Sequence, residues 1–144
     1  MYLVDTNVLS AGAPHSALAQ RDLVAWMERN SDRLYLSVVT IAEVEDGISK
    51  ASRNGAKRKA KLLADWLETV LHLYHARIIV VDVLVARLAG RLSDLARGRG
   101  QAPGFADLLI AASAQSRGYS VLTRNLRHFT PMDIASHDPF VSLP

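Results

Sequence analysis

Residues 2–8, Tyr2-Leu3-Val4-Asp5-Thr6-Asn7-Val8, restrict the fold more than any other stretch of the chain. A run of three apolar residues ends in a carboxylate, a hydroxyl and an amide. Consecutive apolar residues suit a strand covered on both faces, the usual state of a strand in a parallel sheet. Asp5 then stands where the strand stops. In open α/β sheets, ligands bind just beyond the carboxyl ends of the strands. A carboxylate at that point either caps the helix that follows or serves a ligand.

The same alternation continues along the chain. Leu34 to Val38 reads as a second strand, Ile78 to Val81 as a third, and Tyr119 to Thr123 as a further short one. The third is β-branched throughout and ends in Asp82. Between the strands, apolar residues recur at helical spacing from Ser16 to about Asn30, Thr40 to about Ser52 and Ala56 to about His75. Leu84 to about Ala96 and Phe105 to about Ser116 follow the same pattern, the last ending near Gly118. Asn54-Gly55 is a turn between two helices, and Pro14 breaks a short helical turn that Asn7 can cap. Arg97 to Gly104 reads as a basic loop with Gly and Pro. Arg124 to Phe129 is a turn or short helix, and an irregular tail begins at Pro131. Strands alternating with helices predict a parallel sheet covered by helices on both faces. Asp5, Asp82 and Thr123 then fall on its ligand-binding edge.

The chain has 144 residues, 49% of them hydrophobic, which suits one domain over residues 1–144 built without covalent staples. It has no cysteine, so disulfides, thiolate metal sites and cysteine nucleophiles are excluded. The five histidines (His15, His72, His75, His128, His137) show no zinc-ligand spacing. A net charge of +3 permits a nucleic-acid partner without establishing one. No signal-peptide pattern is present, and no apolar run approaches the roughly 18 residues of a membrane span. The expectation is a soluble, cytoplasmic protein with no membrane partner.

Asp107 is the most informative acid. Its helical neighbours Ile110, Ala111 and Ala114 are apolar, and no cation on its own helix can pair with it. A buried carboxylate needs a partner, so a basic side chain or a metal ion must come from elsewhere. The alternative is satisfaction by backbone N–H groups at the helix start after Pro103-Gly104. Glu43 also has two readings. Thr40-x-x-Glu43 has the form of a capping box, yet a glutamate early in a helix that follows a strand also stands at the ligand edge. Asp82 is expected to cap its own helix. Acids at strand ends and helix starts, in a chain without cysteine, favour Mg²⁺ or Mn²⁺ over zinc. Such an ion points to phosphodiester hydrolysis.

Five segments in order, Tyr2-Leu-Val-Asp5-Thr-Asn7-Val-Leu, Leu36-Ser-Val-Val-Thr-Ile-Ala-Glu43-Val-Glu-Asp-Gly47-Ile, Ile79-Val-Val-Asp82, Phe105-Ala-Asp107-Leu-Leu-Ile-Ala-Ala and Leu122-Thr-Arg-Asn125-Leu-Arg-His-Phe129, resemble the motifs of PIN-domain proteins. The likeness is to the VapC toxins, particularly the FitB-like branch, and it covers nearly the whole chain. It implies a three-layer α/β/α domain with a central parallel sheet of four to five strands. It also implies a Mg²⁺-dependent endoribonuclease, with Mn²⁺ a possible substitute, acting as the toxin of a toxin–antitoxin pair by metal-activated water. Asp5, Glu43 and Asp107 would be the catalytic, metal-binding acids. Thr6 and Thr123 would orient them, and Asn125 stands where the family often has an acid. His128 replaces a common aspartate, and in this chain reads as a surface histidine. The implied partners are RNA, a second copy of the chain, and an antitoxin that blocks the active site and binds operator DNA. Candidates to attract RNA are Arg97, Arg99, Arg124 and Lys57, with Arg53, Arg58 and Lys59 nearby.

Three rivals remain. A haloacid-dehalogenase-like phosphatase wants a second aspartate where Asn7 stands. A receiver domain wants an acidic pair and a late lysine, where this chain has Thr6 and Thr123-Arg124. A non-catalytic PIN-like domain that only binds RNA or a partner is opposed by the presence of Asp5, Glu43 and Asp107.

Overall fold

In a computed structural model that describes all 144 residues, five short strands form one parallel sheet. They are β1 (Tyr2–Val4), β2 (Leu34–Ser37), β3 (Ile78–Ile79), β4 (Ser120–Leu122) and β5 (Ser136–His137), in the spatial order β3-β2-β1-β4-β5. The registers are Tyr2 opposite Leu34 and Ser120, Leu36 opposite Ile78, and Val121 opposite Ser136. Seven helices surround the sheet: α1 (Thr6–Leu9), α2 (Arg21–Arg29), α3 (Val38–Arg53), α4 (Lys57–Tyr74), α5 (Val83–Gly98), α6 (Phe105–Arg117) and α7 (Leu126–Phe129). This is the three-layer α/β/α architecture expected from the sequence.

Alternation along each strand divides the core in two, because successive side chains leave opposite faces of a sheet. Val4, Leu34, Leu36 and Leu122 pack with α1 to α4, against Leu23, Trp26, Leu67 and Val70. Leu3, Ile79 and Val121 pack on the other face with α5 to α7, against Leu92, Ile110, Ala111 and Phe129. Each fully buried side chain of this size contributes about 1.5–3 kcal/mol relative to exposure. α6 is apolar nearly all round, as a helix wedged between sheet and neighbours must be. It ends at Gly118, whose φ of 67° is left-handed backbone that glycine adopts without strain.

The elements depart from the sequence reading at several places. The helix expected from Ser16 begins at Arg21, because Ser16 Oγ accepts the Leu18 N–H and holds a turn instead. The third strand stops at Ile79. Its neighbour β2 ends at Ser37, so Val80 and Val81 have no ladder to join. Ser37 ends β2 by capping α3, its Oγ accepting the Val39 N–H at 3.1 Å. The capping box of Thr40 and Glu43 therefore does not form. Thr40 is fully buried and donates to the Val4 carbonyl at 3.4 Å. Finally, the tail contains β5, docked on β4 by Val121 N to Ala135 O (2.8 Å) and Thr123 N to His137 O (3.0 Å). Asp82 caps α5 as expected, accepting the Val85 N–H at 2.9 Å.

Candidate active site

The strand order creates the site. From β1 the chain moves outward to β2 and β3, then returns to place β4 on the opposite side of β1. The direction of winding reverses between β1 and β4, and a crevice opens there at the strand carboxyl ends. Asp5 and Thr123 stand at those two ends. The backbone closes below them, Asp5 N donating to Leu122 O at 3.0 Å.

Asp5 is 5% exposed and held by three donors. Its Oδ1 accepts the Thr6 N–H at 2.7 Å, and its Oδ2 accepts Asn7 Nδ2 and Thr123 Oγ1, each at 2.7 Å. Three donors leave the carboxylate little freedom to turn. Asn7 does more than cap a helix: its Oδ1 accepts the Arg124 N–H at 3.0 Å, so one amide joins Asp5 to the end of β4. Thr123 in turn accepts the Asn125 N–H at 2.9 Å. The Asn125 side chain is exposed and makes no hydrogen bond.

Glu43 reaches the crevice from the second turn of α3, where its Oε2 accepts the Thr6 hydroxyl. Burial raises its proton affinity above the usual carboxylate range. The Thr6 hydrogen bond opposes this, and the negative charges of Asp5 and Asp107 add to it. Asp107, in the first turn of α6, is raised mainly by burial and further by Asp5, with His128 opposing. Its partner is neither a backbone N–H nor a cation of its own helix. It is His128, whose Nδ1 lies 2.9 Å from Asp107 Oδ2. The histidine read from the sequence as a surface residue thus faces the site, presented by the single turn α7.

Asp5 and Asp107 add to the raised proton affinity of Glu43, and Asp5 to that of Asp107, and neither lysine nor arginine pairs with any of the three. Three carboxylates with no lysine or arginine partner are the donor type that suits a hard divalent cation. As the side chains stand, each is turned onto its own hydrogen-bond partner, and no three acid or imidazole groups already converge on a common point.

The basic candidates separate. Arg99 is committed elsewhere, its guanidinium meeting both oxygens of Asp133 at 2.7 Å and the Pro131 carbonyl at 3.0 Å. Arg97 lies in α5, not in a loop, and donates to Ser93 Oγ. Arg124 follows Thr123 directly and lies 5.0 Å above the Phe140 ring. Lys57 is exposed at the first residue of α4. A cleft of about 380 Å³ runs from Thr6 and Glu43 past Trp66 to His15 and Lys59. Lys59 is therefore better placed than Lys57 to meet a ligand at the acids. His15, whose φ of 53° is unusual outside glycine, had no signal in the sequence.

The chain belongs to the PIN-domain family, whose model matches residues 2–133. Its relatives place it more narrowly. It is 32% identical over 142 residues to Toxin FitB of Neisseria gonorrhoeae, covering 97% of this chain and 99% of the toxin. It is 33% identical over 131 residues to VapC ribonuclease Y4jK of Sinorhizobium fredii, covering 90% of each. The crystal structure of FitAcB from Neisseria gonorrhoeae superposes with a TM-score of 0.85 at 31% identity, covering 97% of this chain and 99% of that one.

Proposed function

We propose that the chain is a divalent-metal-dependent endoribonuclease and the toxin of a toxin–antitoxin pair. The observation that carries the proposal is the crevice at the β1–β4 switch, where Asp5, Glu43 and Asp107 lie near one another with no lysine or arginine to neutralise them, His128 meeting Asp107 alone. The toxin and ribonuclease names of relatives that match nearly end to end support it. Mg²⁺ or Mn²⁺ held by these acids would acidify water and neutralise charge on a phosphodiester. Asp5 is the fixed member, oriented by Thr123 and Asn7. Glu43 and Asp107 bring charge that repels unless a cation is present. Thr6 joins Asp5 to Glu43. Lys59, Lys57 and Arg124 would attract the RNA backbone.

The test is direct. The purified chain, incubated with a mixed-sequence single-stranded RNA, is expected to cleave it with Mg²⁺ or Mn²⁺ and to leave it intact with excess EDTA. Cleavage that persists in EDTA would remove the metal from the proposal. RNA left intact under every metal condition would favour a binding domain.

The proposed partners are an antitoxin that covers the acids and binds operator DNA, and a second copy of the chain. Apolar side chains left in solvent support the second copy. Phe105 is 74% exposed, two residues before Asp107, and Val83 and Leu84 are 76% and 56% exposed at the start of α5. Exposed apolar side chains of this size suit a protein–protein interface. The Val83→Asp, Leu84→Asp double variant is expected to elute and scatter light as a monomer where the parent is a dimer. A parent that is monomeric at tens of micromolar would remove the second copy from the proposal.

A further inference from the structure

His128 is the one basic side chain turned onto the acid cluster, and it meets a single oxygen of a single acid. The turn that carries it is anchored in the core. Phe129, next in sequence, is fully buried in the core beneath α6. Thr130 Oγ1 donates to the Leu126 carbonyl at 3.0 Å, and the His128 N–H donates to the Asn125 carbonyl at 2.9 Å. The imidazole is thus presented from an anchored backbone. Oδ2 of Asp107 is bound by this imidazole, while Oδ1 accepts no hydrogen bond.

We propose that His128 is a positioning residue for Asp107: by binding Oδ2 it fixes the rotation of the carboxylate so that Oδ1 alone is offered to the cation. This rests on the metal-dependent reading above. Groups that orient a metal-ligating carboxylate from behind are worth about 10–100-fold in metal affinity. The N–H at Nδ1 is the operative atom. Asparagine carries an amide N–H at nearly the same distance from the backbone, and alanine carries none.

The experiment measures Mn²⁺ binding to the full chain without RNA, by electron paramagnetic resonance of free Mn²⁺, with thermal melts to confirm folding. His128→Ala is expected to bind Mn²⁺ about 10–100-fold more weakly than the parent. His128→Asn is expected to recover most of that loss. Equal losses in both variants, or none in either, would overturn the positioning role. Tighter binding in His128→Ala would also overturn it, because His128 would then compete with the cation for Asp107. A parent chain that binds no Mn²⁺ overturns the metal reading itself and the role of His128 with it. A parent that binds while His128→Ala is unchanged overturns only the latter.

Discussion

Asp5→Asn is expected to abolish RNA cleavage while the protein remains folded. The substitution keeps the shape of the side chain and removes its charge. A group that merely orients a metal ligand is worth about 10–100-fold, so loss of the best-fixed ligand should exceed about 100-fold. The structure also sets the cost in stability. Asp5 accepts from three donors, and an asparagine has only one acceptor oxygen, so its amide NH₂ must face either the Thr6 N–H or the donors from Asn7 and Thr123. A buried donor left unpaired costs about 1–3 kcal/mol. Loss of a charge that repels Glu43 and Asp107 offsets part of this. The expected result is a moderately lowered thermal midpoint, an unchanged circular dichroism spectrum and no cleavage. Asn7→Ala separates orientation from ligation. It leaves the carboxylate in place, removes one of its donors and the link to Arg124 N, and should reduce cleavage about 10–100-fold without ending it. Cleavage by Asp5→Asn at the parental rate would sink the assignment of the site.

What could be read in advance follows from the range of the forces involved. Strands β1 and β2 and helices α3 to α6 were legible because each writes its own period into the sequence. β5 was not, because two residues, Ser136 and His137, carry no period and join the sheet only through backbone bonds to β4. Val80 and Val81 read as strand from their β-branched character, but pairing depends on how far the neighbouring strand extends, and Ser37 ends it first. Thr40 and Glu43 matched a local capping rule that Ser37, three residues earlier, satisfied instead. At the site, Asp107 was legible as an acid in need of a partner, since its helical neighbours are all apolar. The identity of that partner was not. His128 lies 21 residues away, on a one-turn helix whose orientation is set by the burial of Phe129. Asn7 was undervalued for the same reason. Its contact with Arg124 spans 117 residues, and nothing within a window of the first strand announces it.

The acids should also make stability depend on pH and Mg²⁺ together. Burial and mutual repulsion give Glu43 and Asp107 a higher proton affinity in the folded chain than in the unfolded one. Above the ordinary carboxylate range, near pH 4, the folded state therefore binds more protons than the unfolded state. Stability at these two groups then falls as pH rises from there through the raised values, and the cost persists at neutral pH. Mg²⁺ acts in the opposite direction. It binds the deprotonated carboxylates, so its effect is absent near pH 4 and grows toward neutrality. At about 100 times its dissociation constant it should stabilise the fold by about 2.7 kcal/mol, a rise in melting temperature of roughly 5–10 °C for a domain of this size. Asp107→Ala separates the two effects. Without metal at pH 7 the variant loses one of the repelling charges and gains a better helix former, so its melting temperature should match or exceed that of the parent. With Mg²⁺ it should gain almost nothing. The check is a set of melting curves for both proteins at pH 4, 5.5 and 7, with EDTA and with Mg²⁺. An equal Mg²⁺ shift in the two proteins at pH 7 would remove Asp107 from the cation site. A parental shift that is the same at pH 4 as at pH 7 would place the binding of Mg²⁺ away from these carboxylates.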